Sequence, residues 1–174
     1  MKKIPLTLVF VMLFCCNFFA QENSEFYFKS VSAGIGIVDG SKLSGGMNFN
    51  ADGTLAYNQN LFSLSLTSGS DLNLIGDVNR NFFAADVLYG REFSITRIFK
   101  IETHAGIGYF HENYKNYETD FQEKNESSIG IPIKVKALFY ITDHFAMGFN
   151  PNVNFNSVET IYSGNLIFQY NFGK

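Results

Sequence analysis

His104, His111 and His144 are the side chains of this chain whose charge changes most readily near neutral pH. His111 adjoins Glu112, and Ser127 and Ser128 follow beyond a polar run. A histidine base, an acid and a hydroxyl are the parts of a nucleophilic acyl-transfer site. They work only where the base lies within hydrogen-bond reach of the nucleophile, and no spacing here fixes that distance. His104 stands beside Glu102 and within reach of Lys134, which reads as packing among polar neighbours. His144 falls in a short turn and is read as solvated. The chain has no H-x-x-x-H, no cysteine pair of metal-binding type and no glycine-rich phosphate loop ahead of a helix. No catalytic, cofactor-binding or metal-ligating residue is therefore assigned, and no cofactor is expected. The runs "SAGIGI" and "HAGIGY" read instead as glycines that relieve crowding.

The most individual stretch is "ENYKNYETDFQEKNE", 112–126. Glu112, Glu118, Asp120, Glu123 and Glu126 outnumber Lys115 and Lys124, and Tyr114, Tyr117 and Phe121 are interleaved. Exposed aromatics beside acids suit recognition of a protein, a glycan or a divalent cation. The oxygens lack the ordered spacing of a calcium loop. A solvated loop is the plain reading, and a contact surface the functional one.

The elements that must position these residues begin after a leader. "MKK" precedes the uncharged run "IPLTLVFVMLFCCNFF", and polarity returns after Ala20. This is the layout of a secretory signal peptide over 1–20, which leaves 21–174 as one domain. Lipoprotein processing at Cys15 or Cys16 is the alternative, although neither follows a small residue. Both cysteines lie in the leader, so the exported domain holds no disulfide. It carries 11 basic and 16 acidic residues, a balance of −5 that argues against nucleic acid as a partner.

Beyond the leader no helical stripe is found, and period-two alternation recurs. Eight strands are predicted at about 27–38, 45–57, 61–71, 82–93, 99–111, 127–140, 145–156 and 160–172. Sorting alternate residues gives one face without a charge, rich in Phe, Tyr, Ile, Leu and Val, such as Ile35, Phe49, Leu64, Ile131 and Phe168. The opposite face is mostly Gly, Ser, Asn and Thr, with Asp86, Glu92 and Glu102 set against Lys100, Lys134 and Lys136. An eight-stranded barrel has an interior only wide enough for side chains to fill it. The bulky face is too large for that interior and the small polar face fits. The expectation is an all-β, antiparallel, up-and-down transmembrane barrel with its apolar face outward and a filled polar lumen. Pro132 and Pro151 fall inside strands, where bulges or kinks are expected.

The final run "NLIFQYNFGK" alternates Leu166, Phe168, Tyr170 and Phe172 with Ile167, Gln169 and Asn171. With the eight-strand pattern, it makes the chain resemble the small outer-membrane β-barrels of Gram-negative bacteria, the OmpA/OmpX-like barrels of the porin superfamily. In many members the last residue is Phe, whereas Gly173 and Lys174 follow Phe172 here. The resemblance implies residence in the cell outer membrane among its lipid and lipopolysaccharide. It also implies assembly by machinery that reads the C-terminal strand. The function expected is non-enzymatic: envelope integrity or surface interaction through external loops, with an extracellular partner at 112–126 and no wide pore. Two alternatives stand beside it, a lipid-modifying enzyme at the external rim and a soluble periplasmic carrier of lipocalin type.

Overall fold

The computed structural model describes residues 25–41, 45–71, 78–116 and 122–173. The leader expected at 1–20 and the tip 117–121 of the acidic stretch lie outside the described residues. Eight strands follow one another: β1 Tyr27–Gly40, β2 Gly46–Tyr57, β3 Asn60–Asp71, β4 Val78–Ser94, β5 Phe99–Asn116, β6 Gln122–Tyr140, β7 Phe145–Asn156 and β8 Ile161–Asn171. Each pairs antiparallel with the next, and β1 pairs with β8, so the sheet closes. Closure gives the last strand a partner on both sides, and the aromatic run of β8 is no open edge.

Both ends of the described chain and three tight turns lie at one end, here called the near end. Asn58 takes a positive φ of 56° in the two-residue turn from β2 to β3, a conformation that asparagine tolerates. The other two near-end turns share a pattern, Ile-Thr-x-x-Phe, at 95–99 and 141–145. In each, the Ile and Thr N–H groups donate to the Phe carbonyl oxygen. The Thr Oγ1 accepts from the Phe N–H at 3.0 Å in both turns. One local hydrogen-bond scheme is thus used twice.

Side-chain exposure follows the expected faces. Ile35, Leu64, Ile129 and Leu166 are more than half exposed, while Ser32, Thr54, Ser65 and Asn165 are buried. A soluble carrier needs the reverse arrangement, with apolar groups inside, so that reading is corrected here. A continuous belt of exposed Phe, Ile and Leu far exceeds the apolar patches that water-soluble monomers carry. Lipid is the solvent that this belt fits, and a closed barrel is one of two structures that satisfy the backbone in lipid.

Alternation alone fails at Lys29. The β1–β2 register shifts between Phe28 and Ser30. This bulge adds one residue, so Phe28 points outward while Lys29 and Ser30 both point in. Without it, Lys29 would face lipid. The prolines bring no bulge, since no register shift accompanies them. The β5–β6 pairs step from Ala105↔Ile133 to Gly108↔Gly130 beside Pro132. The β6–β7 pairs step from Lys134↔Asn152 to Ala137↔Phe149 beside Pro151. A lost donor opens the ladder locally there, and the frame of pairing is kept.

The core is the lumen. Lys134 Nζ lies 3.5 Å from Asp52 and 3.7 Å from Asp86, and donates to Ser65. Lys136 lies 3.1 Å from Asp52 and donates to Ser32. Lys29 bridges Glu92 and Glu102, and Lys100 meets Glu92 at 3.0 Å. The ammonium groups of Lys29, Lys100, Lys134 and Lys136 thus balance the carboxylates of Asp52, Asp86, Glu92 and Glu102 one for one. Apolar residues cap this layer, which the sorting of faces did not foresee. Val38, Phe82, Ala84, Phe110 and Ile161 cluster at the far end, and Leu138, Ala146 and Ile167 at the near end. Glycines make room, as expected: a Cβ at Gly106 would lie 2.0 Å from the Val87 carbonyl oxygen, and one at Gly108 2.1 Å from Asp86 Oδ1.

Two outcomes follow for urea unfolding of lipid-embedded protein. Leu166→Arg, at the middle of β8, lowers stability by about 2–4 kcal/mol, the cost of a cation at mid-bilayer. Lys134→Met leaves buried Asp86 without its ion-pair partner, while Asp52 keeps Lys136, and costs about 3–5 kcal/mol. Adding Asp86→Asn to Lys134→Met recovers part of that loss, because a buried charge is removed with its partner.

Candidate functional site

The far end is where this barrel departs most from the strand lengths predicted above. β4 starts at Val78 rather than 82, β5 runs to Asn116 rather than 111, and β6 starts at Gln122 rather than 127. Much of the stretch read as the loop 112–126 is therefore paired strand, from Glu112↔Glu126 to Asn116↔Gln122. β4 adds Val78–Asn81 against Asn113–Asn116. Pairs of β6 with β7 begin only at Gly130. The three strands form a tongue that rises from one side of the barrel. Its sequence is polar on both faces, so the alternation that betrays a half-buried strand is missing, and it reads as a loop.

The tongue carries two different faces. On the inner face Arg80 Nη1 lies 3.4 Å from Glu112 Oε1, and its guanidinium sits 4.6 Å over the Tyr114 ring. Lys124 and Glu126 form an ion pair of 2.5 Å on the same side. The hydrogen bond and charge of Glu126 raise the exposed Lys124 ammonium above its ordinary pKa. On the outer face His111 Nδ1 lies 2.9 Å from Ser127 Oγ, and the Tyr109 hydroxyl lies 2.8 Å from the same oxygen. Higher up, Asn113 donates to Asn125 at 2.8 Å. The change from Tyr109 and Ile129 to His111 and Ser127 marks the upper limit of the apolar belt.

Of the parts expected for acyl-transfer chemistry, the structure brings together a base and a hydroxyl. His111 and Ser127 are directly opposed across the β5–β6 ladder. Glu112 is the next residue and so points through the wall to the inner face, where it is buried against Arg80. Ser128 is likewise turned inward and donates to Asn156 at 3.3 Å. The acid and the base are separated by the sheet. Among the described residues, His111 meets the Ser127 hydroxyl and stacks against the Tyr109 ring.

The other histidines have structural surroundings. His104 is buried in the lumen with Nε2 3.4 Å from Glu102 Oε2, and its backbone opposes Lys134. His144 is not simply solvated as expected. Its Nδ1 lies 3.0 Å from the Asn171 carbonyl oxygen, and its ring stacks on Tyr170 at 6.0 Å. It pins the end of β8 to the last near-end turn, together with the bond from the Asn171 N–H to the His144 carbonyl. Among the described residues no group of three or more His, Cys, Asp or Glu is placed to hold a metal ion.

The fold is shared with solved barrels. Ail, the attachment invasion locus protein of Yersinia pestis, is similar at 14% identity and a TM-score of 0.62, over 83% of this chain and 99% of that one. Neisserial surface protein A is similar at 14% identity and 0.63, over 87% and 100%. The N-terminal barrel domain of Pseudomonas aeruginosa OprF is similar at 13% and 0.57, over 85% and 100%. At these identities the likeness is one of fold, and the fold is that of the small eight-stranded outer-membrane barrels. A comparison with curated protein sequences gives no match. Residues 54–141, from Thr54 in β2 to the turn after β6, match the family model described as "Protein of unknown function (DUF3575)". With half of its length so matched, this eight-stranded barrel belongs to the DUF3575 family.

Proposed function

We propose that the chain is a non-enzymatic integral protein of the bacterial outer membrane, exported by the leader at 1–20, with 21–174 as its barrel domain. It serves envelope integrity or surface interaction through the far-end tongue and forms no wide pore. The observation that carries this reading is the pairing of an apolar exterior with a filled, charge-balanced lumen. An eight-stranded wall leaves no channel once such side chains occupy it. The exterior belt supplies the contact with outer-membrane lipid and lipopolysaccharide. Leu166, Phe168 and Tyr170 on the last strand, and Phe172 just after it, are all exposed, which suits reading by the assembly machinery.

The tongue is the proposed site for an extracellular partner, because it stands clear of the belt and mixes aromatic and charged groups on one inner face. Ail has been solved in complex with the heparin analogue sucrose octasulfate. Here Arg80 is matched by Glu112 and Lys124 by Glu126, so a polyanion is not the partner this face favours. A second reading, a lipid-modifying enzyme at the external rim, is favoured by one contact, His111 to Ser127. Its weakness is the acid, which lies across the sheet.

Four measurements test these readings. The folded protein in outer-membrane fractions runs with heat-modifiable gel mobility, needs detergent for extraction, and gives no large stable channels in planar bilayers. Release by a carbonate wash, or porin-sized conductance, contradicts the proposal. Incubation of detergent-folded protein with lipopolysaccharide leaves the acyl chains unchanged by mass spectrometry, and His111→Ala behaves as the parent does. Acyl transfer that His111→Ala abolishes establishes the enzyme instead.

A further inference from the structure

Beneath the far-end cluster the lumen holds a small, partly open space lined by residues that include Thr67, Asp86, Phe110, Asn152 and Ile161. It has room for the centre of one water-sized sphere, about 10 Å³, which is the least space that a single water needs. Three of its lining side chains carry oxygens with no hydrogen-bond partner: Thr67 Oγ1, Asp86 Oδ1 and Asn152 Oδ1. Thr67 and Asp86 are almost wholly buried, and burial without a partner is costly for a hydroxyl and more so for a carboxylate.

We infer that this space is a binding site for one ordered water, which donates to Asp86 Oδ1 and Asn152 Oδ1 and accepts from the Thr67 hydroxyl. The stoichiometry of donors and acceptors selects the ligand. The Asp86 carboxylate, paired with Lys134, and the Asn152 carbonyl accept, Thr67 can donate, and water offers two donors and an acceptor. A monovalent cation would satisfy the first two oxygens. It would also add an unbalanced charge to a lumen where Lys134 already lies between Asp52 and Asp86. Thr67 is on β3, Asp86 on β4 and Asn152 on β7, and β7 neighbours neither of the others in the barrel. The water therefore ties opposite walls together beneath the apolar cap. Such a bridge holds the cap residues Phe82 and Phe110 over the polar layer.

A high-resolution crystal structure of the full barrel tests this directly. The expected result is one density peak within about 2.7–3.2 Å of all three oxygens. Direct bonds between those side chains, with the space closed, overturn the inference. Urea unfolding of Thr67→Val, Asn152→Leu and the double variant gives an independent reading, with folding of each checked by gel mobility. Each single change lowers the midpoint, and the double variant falls by less than the sum, since one water is lost only once. Additive shifts overturn the bridge. A midpoint that differs among sodium, potassium and choline salts shows a bound ion and also overturns it.

Discussion

Strand number sets the width of a closed barrel, and eight strands leave a lumen only wide enough for side chains of modest size to fill. Everything else in this molecule is arranged around that limit. Bulky apolar groups are sent outward, where only lipid can accommodate a belt of this extent. Inside, the small residues leave space for four lysines and four carboxylates, and burial demands that those charges be matched. The bulge at Lys29 shows how strict the demand is. One extra residue in β1 turns a lysine away from lipid and delivers it to Glu92 and Glu102. Glycines at 106 and 108 answer the same limit, since any side chain there would run into the neighbouring strand.

The two ends of the barrel solve different problems. The near end is tight, with two Ile-Thr-x-x-Phe turns built alike and His144 fastening the final strand. The far end extends unevenly: β4, β5 and β6 continue as a tongue while β1, β2, β7 and β8 stop lower. Water on both faces of the tongue permits Arg80, Glu112, Lys124 and Glu126 to sit on one side and His111 and Ser127 on the other. The separation of Glu112 from His111 is thus a consequence of strand geometry, because adjacent residues face opposite ways.

The barrel wall was legible from alternation because one face meets lipid and the other a crowded lumen. Where both faces share a solvent, the signal vanishes, and 112–116 and 122–126 looked like loop for that reason. Lys29 was hidden for another: a bulge is a response to partners distant in sequence, and nothing beside Lys29 announces it. Phe82, Phe110, Leu138 and Ile167 broke the alternation and went unplaced; they cap the polar layer. The repeated Ile-Thr-x-x-Phe went unread in the sequence and marks two turns of one design. The prolines were read correctly as lost ladder donors, but pairing resumes in frame beyond each.

The aromatic and aliphatic face of the barrel touches lipid. Residues 21–174 contain no cysteine, so single cysteines can be placed along β8 of that stretch and spin-labelled without interference. Labels at 166, 168 and 170 in bilayer-embedded protein should collide readily with oxygen dissolved in the lipid, while labels at 167 and 169 should be shielded from it. A reversed pattern, with 167 and 169 open to lipid and the aromatic positions protected, would contradict the account.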